Sequence, residues 1–175
     1  MQPYPLQLVK DVSLEHGDAI TIRPIRPEDA GIEAEFVRNL SEESRYYRFM
    51  GPLRELTPQM LSHFTRVDYD RHMALIAVTR VNGKENEIAV ARYIISDAGS
   101  SCEFAIVVAD AWQHRGVGTY LMRALMDAAH GRGLHTMFGE VFSSNQKMLD
   151  FVRGIGFHTT ADPSDARLMR VEAKL

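Results

Sequence analysis

The amino-acid sequence predicts one α/β (α+β) domain with about six or seven strands and about four helices. Three apolar stretches separated by tight turns lie between residues 73 and 109, which is typical of antiparallel strands. Apolar residues recur at helical spacing on both sides of this region. A strand, a glycine-containing loop and a helix follow one another in residues 107–122, VVADAWQHRGVGTYLM. Because 45% of the 175 residues are hydrophobic, the chain can bury the core of one domain.

The first part of the chain is predicted to combine one strand with two helices. Residues 1–18 contain two prolines and are predicted to be an extension or linker, and residues 19–175 a single domain. The segment AITIRPIRPEDA predicts a strand that stops at Pro24 and a helix that ends near Leu40. The segment SEESRYYRFMGPLREL is predicted to be a loop or an irregular helix. Thr57 is predicted to cap a helix that runs through Phe64.

The second part of the chain supplies the remaining elements. The turns VNGKEN and DAGS separate three predicted strands, and HTMFGEVF and RLMRVEAKL predict two more. Ser144 or Asn145 is predicted to cap the last helix, which ends at Gly156. The helix after the glycine loop has one apolar face, formed by Val117, Leu121, Leu125 and Ala128. The predicted order is therefore β-α-α-β-β-β-α-β-α-β, with part of a further strand near Phe157.

Charge and composition exclude several classes of function. A net charge of −3 argues against nucleic acid or an acidic membrane as a partner. No apolar run approaches the ~20 residues of a membrane-spanning helix, and no signal peptide is evident, so a cytoplasmic location is expected. Cys102 is the single cysteine, and its apolar strand is expected to raise the thiol pKa, which argues against an acyl carrier. The seven histidines show no metal-ligand spacing, so no metal is expected.

Gly116 and Gly118 lie between an apolar strand and a helix. Because they have no Cβ atoms, the backbone can turn sharply there and a ligand can approach it. The helix that follows offers free N–H groups and the positive end of its dipole, which together predict a phosphate site. A Walker loop would need a lysine after a glycine, and a Rossmann fingerprint would need a third glycine where Leu121 stands. Both of these alternatives are disfavoured.

The segment QHRGVG, residues 113–118, matches the [QR]-x-x-G-x-[GA] signature of the GNAT superfamily of acyl-CoA-dependent N-acyltransferases. A second segment, NQKMLDFVRGIGF, resembles the asparagine-to-Gly-Phe helix of that family. The segments LSEESRYYRFMG, FTRVDYDRHMALIAV and CEFAIVVADAWQHRGVG are most similar to the GNAT domain of bacterial protein lysine acetyltransferases. The resemblance covers about residues 20–175. It implies the GNAT fold, a mixed and mostly antiparallel sheet flanked by helices, and acetyl-CoA as co-substrate.

The resemblance also implies which residues bind the cofactor. Backbone N–H groups of the loop would hold the pyrophosphate, so a side chain at position 116 or 118 would block the approach. The strand before the loop would diverge from its neighbour, leaving backbone groups of Val107 and Val108 for the pantetheine arm and the thioester carbonyl. Asn145 either holds the cofactor or only caps its helix. The predicted loop residues are Gln113, His114, Arg115, Gly116, Val117, Gly118 and Thr119, with Arg115 either near the phosphates or solvated.

Glu103 is the predicted general base. Amide formation needs a neutral amine, whereas a lysine side chain in water has a pKa of about 10.4. In the enzymes that this chain resembles, a glutamate on this strand takes the proton, and burial between Cys102 and Phe104 would raise its pKa towards that task. The alternative is an exposed or salt-bridged strand glutamate. Many family members place a tyrosine acid where this chain has Val152, so no general acid is expected from that helix.

Two segments are candidates for the acceptor side. Asp68 and Asp70 lie in a loop between a helix and a strand, where their carboxylates would attract a cationic amine or, alternatively, form an Asx turn. Tyr47 is the predicted acceptor contact in the segment Arg45–Arg48, for which ordinary amphipathic packing is the alternative.

The leading hypothesis is therefore an N-acetyltransferase that acts by direct attack, with Glu103 as the base and a protein lysine as the acceptor. The alternatives are the same reaction on a small-molecule amine and a non-catalytic acyl-CoA-binding regulatory domain.

Overall fold

The computed structural model describes residues 2–97 and 99–175. In this part of the chain, eight strands form one sheet in the order β1-β2-β3-β4-β5-β6-β8-β7. The strands are β1 (Lys10–Ser13), β2 (Ala19–Pro24), β3 (His72–Val81), β4 (Lys84–Ile95), β5 (Ser101–Val108), β6 (Thr136–Phe142), β7 (His158–Ala161) and β8 (Leu168–Lys174). The α-helices are α1 (Ala30–Asn39), α2 (Glu42–Phe49), α3 (Pro58–Thr65), α4 (Val117–Gly131) and α5 (Gln146–Gly154).

The sheet is mixed and mostly antiparallel, which confirms the predicted fold class. The neighbouring strands β5 and β6 are parallel, and the other neighbouring pairs are antiparallel. The strand count is higher than the predicted six or seven because of β1. The helix count is higher than the predicted four because α2 is a regular helix. Ser41 caps α2, since its Oγ accepts the N–H of Ser44 at 3.1 Å.

Strand β1 lies inside the segment that was predicted to be an extension or linker. Lys10 pairs with Ile22, so β1 extends the sheet beyond β2. The Tyr4 hydroxyl donates to the Pro24 carbonyl at 3.0 Å, and Leu14 is buried. Residues 2–18 therefore pack on the domain, although the sequence KDVS has little of the apolar alternation that marks a strand. The assignment of residues 19–175 to a single domain stays a prediction.

Turn and cap residues set the ends of several elements as predicted. Asn82 and Gly83 both have positive φ, 51° and 78°, which matches a tight β3–β4 hairpin. Thr57 caps α3 by accepting the N–H of Met60 at 3.2 Å. Asn145 caps α5, which ends at Gly154, two residues before the predicted end. The predicted DAGS turn contains residue 98, which lies outside the described residues.

Helices cover both faces of the sheet. On β5, alternate side chains point to opposite faces, and Val108 lies on the face covered by α4, where a Cβ on Gly118 would touch it. Arg92, opposite Ala105 in the β4–β5 register, pairs with Glu33 of α1, so α1 covers the other face. Glu103 and Ala105 share that second face. The apolar face predicted for α4 is buried: Val117, Leu121, Leu125 and Ala128.

Candidate active site

The parallel strands β5 and β6 separate after a short paired stretch. Their register covers only Ser101–Glu103 of β5 against Thr136–Phe138 of β6. Phe104 lies where the strands part, and a Cβ on Gly139 would come within 3.0 Å of its ring. A side chain at position 139 would therefore crowd the Phe104 ring and also the Phe104 carbonyl oxygen, which would lie 3.3 Å from the Cβ. A lone glycine inside an apolar strand was the available signal for this position.

A cleft of about 880 Å³ opens where β5 and β6 diverge. It is lined by β5, the loop before α4, the end of β6, α5 and helix α2. The predicted site residues that line it are Glu103, Val107, Val108, Gln113, His114, Gly116, Gly118, Thr119, Asn145 and Tyr47. Its size is in the range of small-molecule sites, about 300–1,000 Å³.

The glycine loop presents backbone donors to this cleft. Gly116 has φ of +86°, a left-handed conformation, and its carbonyl accepts the first intrahelical bond from Tyr120 N at 3.1 Å. The N–H groups of residues 117–119 precede that bond and so have no intrahelical acceptor. The Gln113 side chain donates to the Val108 carbonyl at 3.1 Å and ties the loop to the end of β5. Free N–H groups at a helix N-terminus fit a phosphate group.

Position 118 has room for a Cβ among its protein neighbours, whereas the expectation that a side chain there would block a phosphate stays a prediction. A Cβ on Gly118 would lie 3.4 Å from Phe151 and 3.5 Å from Val108, which is close to ordinary contact. Alanine therefore fits at this position, as the [GA] of the signature allows, and only a larger side chain would meet these neighbours. Gly116 differs because its positive φ disfavours any side chain.

Two of the predicted loop residues do not line the cleft. The guanidinium of Arg115 pairs with Asp18 and lies 4.4 Å from the Trp112 ring centroid, and Arg115 is not part of the cleft lining. The side chain of Val117 is fully buried in the core, so only its backbone N–H is available there. Neither of the interpretations given for Arg115, phosphate contact or simple solvation, describes this arrangement.

The backbone groups of β5 that face the gap are also different from those predicted. Ala109 N–H donates to the Ile88 carbonyl at 2.8 Å, on the β4 side. Hydrogen bonding alternates along an antiparallel strand, so the backbone of Val107 also faces β4. The groups that face the gap belong to Ile106 and Val108. Val107 is therefore wrong as a backbone contact, although its side chain lines the cleft, and Ile106 takes its place.

Glu103 lines the cleft at the point where β5 leaves β6. Its side chain is exposed rather than buried between Cys102 and Phe104, because those two side chains point to the other face. The predicted burial of this carboxylate is therefore wrong. Glu103 makes no ion pair or side-chain hydrogen bond with the described residues, which leaves the carboxylate free to accept a proton or bind a cation.

A buried charged cluster lies behind Glu103 on the same face. Arg92 Nη2 donates to Glu33 Oε1 at 3.3 Å, and Arg92 Nη1 donates to the Phe64 carbonyl at 3.1 Å. Burial and the neighbouring Glu33 raise the pKa of Glu87 well above its ordinary value. The protonated form of Glu87 is therefore favoured relative to that of a carboxyl group in water. These contacts fix α1 and α3 against β4 beside the cleft.

His72 extends this cluster in its neutral form. Burial, together with the charge of Arg92, lowers the pKa of His72 to about 4. The His72 Nε2 lies 3.4 Å from Arg92 Nη1. Because a guanidinium can only donate, Nε2 accepts, and the ring proton is assigned to Nδ1.

Asp68 and Asp70 do not line the cleft, so the structure does not support their predicted role towards the acceptor. Asp68 Oδ1 accepts the N–H groups of Asp70 and His72, each at 2.9 Å, which is the Asx-turn alternative. Asp70 forms an ion pair with Arg132, just after α4. Both carboxylates thus organise the turn before β3.

Helix α2 lines the cleft, and several of its side chains make contacts within the protein. The Tyr47 hydroxyl donates to Ser144 Oγ at 3.3 Å, and Tyr46 stacks on Phe142 with 5.5 Å between ring centroids. The guanidinium of Arg45 donates to the backbone carbonyls of Arg38, Leu40 and Leu53. Tyr47 lines the cleft as predicted, but its acceptor contact stays a prediction.

The remaining expectations concerned the thiol of Cys102, a metal site and a membrane-spanning helix. Burial raises the pKa of the Cys102 thiol to about 12, which agrees with the expectation that it is no acyl carrier. In residues 2–97 and 99–175, no cluster of three or more His, Cys, Asp or Glu side chains is arranged to hold a metal ion. No helix in the same ranges is both long and apolar enough to cross a membrane.

The sheet, the divergent strands and the glycine loop define a class of acyl-CoA-dependent N-acetyltransferases. The model of the Acetyltransferase (GNAT) family matches residues 35–157, and the chain belongs to this family. It is 34% identical over 154 residues to Acetyltransferase PA5475 of Pseudomonas aeruginosa, covering 88% of this chain and 83% of that protein. The resemblance stated from the motifs is thereby confirmed.

Other relatives extend the comparison. The GNAT domain of S. lividans PAT has a TM-score of 0.90 to this chain at 30% identity, over 99% of this chain and 100% of that domain. Acetyltransferase Pat of Mycolicibacterium smegmatis is 28% identical, and the chain spans only 43% of its length. Spermidine N-acetyltransferase from Vibrio cholerae, in complex with CoA and spermine, shares the fold with a TM-score of 0.69 at 18% identity, over 89% of this chain and 95% of that one.

Proposed function

We propose that the protein transfers an acetyl group from acetyl-CoA to the side-chain amine of a protein lysine, with Glu103 as the general base. The observation that carries this proposal is the position of Glu103, a free carboxylate in the cleft where β5 and β6 diverge. Acetyl-CoA supplies an activated acyl thioester. The task left to the chain is to position the thioester, to align the amine for direct attack and to accept its proton.

The cleft supports acetyl-CoA as the co-substrate. The N–H groups of residues 117–119 have no intrahelical acceptor and suit the pyrophosphate. The backbone of Ile106 and the N–H group of Val108 face the gap, where they can pair with the amide groups of a pantetheine arm as a strand would, while the Val108 carbonyl accepts from Gln113. An N–H group in the same row can polarise the thioester carbonyl. Asn145 also lines the cleft, but its observed contact is the cap of α5.

Glu103 supports the acid–base part of the reaction. A lysine ammonium near the carboxylate is attracted to it, and deprotonation by Glu103, directly or through one water, yields the neutral nucleophile. General base catalysis of this kind contributes about 10²- to 10⁴-fold to a rate. The helix position where many family members have a tyrosine is occupied by Val152, whose side chain is fully buried. The proton for the departing thiolate is therefore assigned to the solvent.

A protein lysine is favoured as the acceptor by the relatives. The structure with a TM-score of 0.90 to this chain is the GNAT domain of a protein named PAT, and a curated relative is named Pat. The three sequence segments quoted above are most similar to the same group of protein lysine acetyltransferases. One structural neighbour, the spermidine N-acetyltransferase, has a small-molecule amine as its substrate. Its sequence identity of 18% to this chain supports a shared fold and no more.

The direct test is CoA thiol release with purified protein, acetyl-CoA and a panel of amines. The panel contains lysine peptides, spermidine and free amino acids, and the proteins are wild type, Glu103→Gln and the control Glu35→Gln. Glu35 is an exposed carboxylate on α1 that does not line the cleft. We expect turnover with lysine peptides, a loss of about 10²- to 10⁴-fold in kcat for Glu103→Gln, and no comparable loss for the control.

Three results would count against the proposal. Turnover with spermidine but not with lysine peptides would favour the small-amine alternative. Glu103→Gln with the activity of wild type would remove the general base. Binding of acetyl-CoA, measured by calorimetry, without turnover on any amine would favour the non-catalytic regulatory domain.

A further inference from the structure

The guanidinium of Arg48, near the end of α2, is a cation without a carboxylate partner. Arg48 lines the cleft, whereas its Nε is sealed from solvent and has no hydrogen-bond acceptor. No Asp or Glu among the described residues forms an ion pair with it. Its guanidinium carbon instead lies 4.8 Å from the Phe49 ring centroid and 5.9 Å from that of Phe64. A partly buried cation without an anion is costly unless a ligand supplies one.

The neighbouring buried carboxylate, Glu33, is paired with Arg92 rather than with Arg48. Burial and the neighbouring Arg92 lower the pKa of Arg48 to about 10, so it remains charged at neutral pH. Arg92 is also a cation, and Glu33 is the carboxylate that pairs with it. Glu87 favours its protonated form and His72 is neutral. Arg48 is the cation of this group that lines the cleft and that has no carboxylate partner among the described residues.

The position of Arg48 separates it from the phosphate end of the cleft. It packs on Phe64, as does Arg92, whose guanidinium carbon lies 4.5 Å from the same ring. Arg92 is opposite Ala105, which lies two residues from Glu103 on the same face of β5. The glycine loop follows the other end of that strand, roughly 17 Å from Glu103 at about 3.4 Å per residue. Arg48 thus belongs to the part of the cleft where the amine is proposed to react.

We infer that Arg48 binds a carboxylate of the acceptor, so that the acceptor is a zwitterionic group with its amine at Glu103 and its carboxylate at Arg48. This inference rests on the proposed function of Glu103. A guanidinium holds a carboxylate through paired N–H donors, which gives orientation as well as affinity. The carboxylate comes from an acidic residue beside the target lysine or from the α-carboxyl group of a free amino acid.

The test uses pairs of acceptors that differ only in the carboxylate. One pair is a blocked peptide with Glu or Gln next to the lysine, and the other is Nα-acetyl-lysine and its amide. For each acceptor, kcat/KM is measured by thiol release, and the Kd is measured by calorimetry in the presence of CoA. The proteins are wild type, Arg48→Gln, Arg48→Lys and the control Arg54→Gln. Arg54 is an exposed arginine close in sequence that does not line the cleft.

For wild type, kcat/KM is expected to be about tenfold or more higher for the acceptor with the carboxylate than for its neutral partner in at least one pair. A difference of this size is in the range of a charge-assisted hydrogen bond. Arg48→Gln brings this ratio close to one, Arg48→Lys retains part of it, and Arg54→Gln keeps it. The pair that shows the effect identifies the source of the carboxylate. Circular dichroism and the melting temperature check that each variant is folded.

The inference is overturned if wild type does not discriminate within either pair, or if Arg48→Gln discriminates as wild type does. It is also overturned if Arg48→Gln raises the KM for acetyl-CoA and leaves the acceptor ratio unchanged, because Arg48 would then serve the cofactor. A binding ratio without turnover would contradict the proposed function but support the carboxylate site. Glu103-dependent turnover without a ratio would contradict the carboxylate site alone.

Discussion

The two ends of the cleft are built from different groups. At the glycine-loop end, the groups that face a ligand are backbone N–H donors, and Gly116 is there because the chain turns with a positive φ. At the Glu103 end, they are side chains from separate elements, supported by the buried Glu33, Glu87 and Arg92. A backbone site tolerates changes in most of its side chains. A site of buried charges depends on each partner, because an unpaired buried charge is costly.

The largest predicted effect is at the Glu103 end. Arg92→Met leaves the carboxylate of Glu33 buried without its partner, so we expect the free energy of unfolding to fall by about 3–5 kcal/mol. The matched control is Arg153→Met, which breaks an exposed pair with Asp150 at 3.4 Å and should change the same quantity by no more than about 0.5 kcal/mol. Urea denaturation followed by circular dichroism measures both. Equal effects would mean that the buried cluster contributes no more than a surface pair.

The second prediction concerns pH. The pKa of Glu87 is raised in the folded protein above its unfolded value of 4.5, so its contribution to stability is fully present below about pH 4.5 and is lost as the pH rises through the folded value. Between the unfolded and the folded pKa of Glu87, the free energy of unfolding of wild type should fall by up to about 1.4 kcal/mol per pH unit relative to that of Glu87→Gln. Unfolding free energies of both proteins at several pH values between 5 and 9 measure this difference. A difference that is constant, or that grows in favour of wild type, would contradict it.

The third prediction compares the two loop glycines. Gly116→Ala places a Cβ at φ of +86°, which costs about 1–2 kcal/mol for an L-residue, whereas Gly118→Ala makes only near-ordinary contacts. We expect the first substitution to lower both the melting temperature and the affinity for CoA, and the second to change neither by a comparable amount. Thermal unfolding and calorimetry with CoA measure these quantities. If the two alanine variants behave alike, the left-handed turn is not what makes Gly116 necessary.

The smallest effect is predicted for Arg115. Its guanidinium pairs with Asp18 and stacks on Trp112, so Arg115→Gln should lower the free energy of unfolding by no more than about 1 kcal/mol. The Kd for CoA should change by less than about threefold, because backbone donors rather than this side chain face the phosphates. Calorimetry at low and moderate salt measures the Kd. A loss of tenfold or more that disappears in salt would place Arg115 on the phosphates after all.

The same contrast decides how much of the site could be predicted from the sequence. The glycine loop is a contiguous segment, and its turn and helix N-terminus follow from residues 113–118 alone. The Glu103 end of the cleft is supported by side chains from α1, α2, α3 and β4, and two of them, Glu33 and Glu87, are more than 50 residues apart in the sequence. No local pattern relates such positions. Asp68 and Asp70 were the wrong candidates there because a charged pair in a loop is equally typical of a turn.

The sequence did not determine which backbone groups of β5 face the gap between β5 and β6. The positions of the three central strands followed from their apolar runs and the Asn82-Gly83 turn. Which backbone groups face the gap depends on a shift of one residue, which an apolar run on a buried strand does not specify. The family resemblance implied Val107 and Val108, whereas the hydrogen bond of Ala109 to Ile88 places the backbone of Ile106 and Val108 towards the gap. Strand β1 was missed because the sequence KDVS has little of the apolar alternation that marks a strand.

The most direct test of the central claim, Glu103-dependent acetylation of protein lysines, is acetyl-lysine mass spectrometry. A cell lysate is incubated with acetyl-CoA and either wild type, Glu103→Gln or no enzyme. The account predicts a set of discrete lysines that are acetylated above background by wild type and not by Glu103→Gln. Identical acetylation in all three samples would contradict the claim that protein lysines in that lysate are acceptors. Equal acetylation by wild type and Glu103→Gln, above the sample without enzyme, would contradict the role of Glu103.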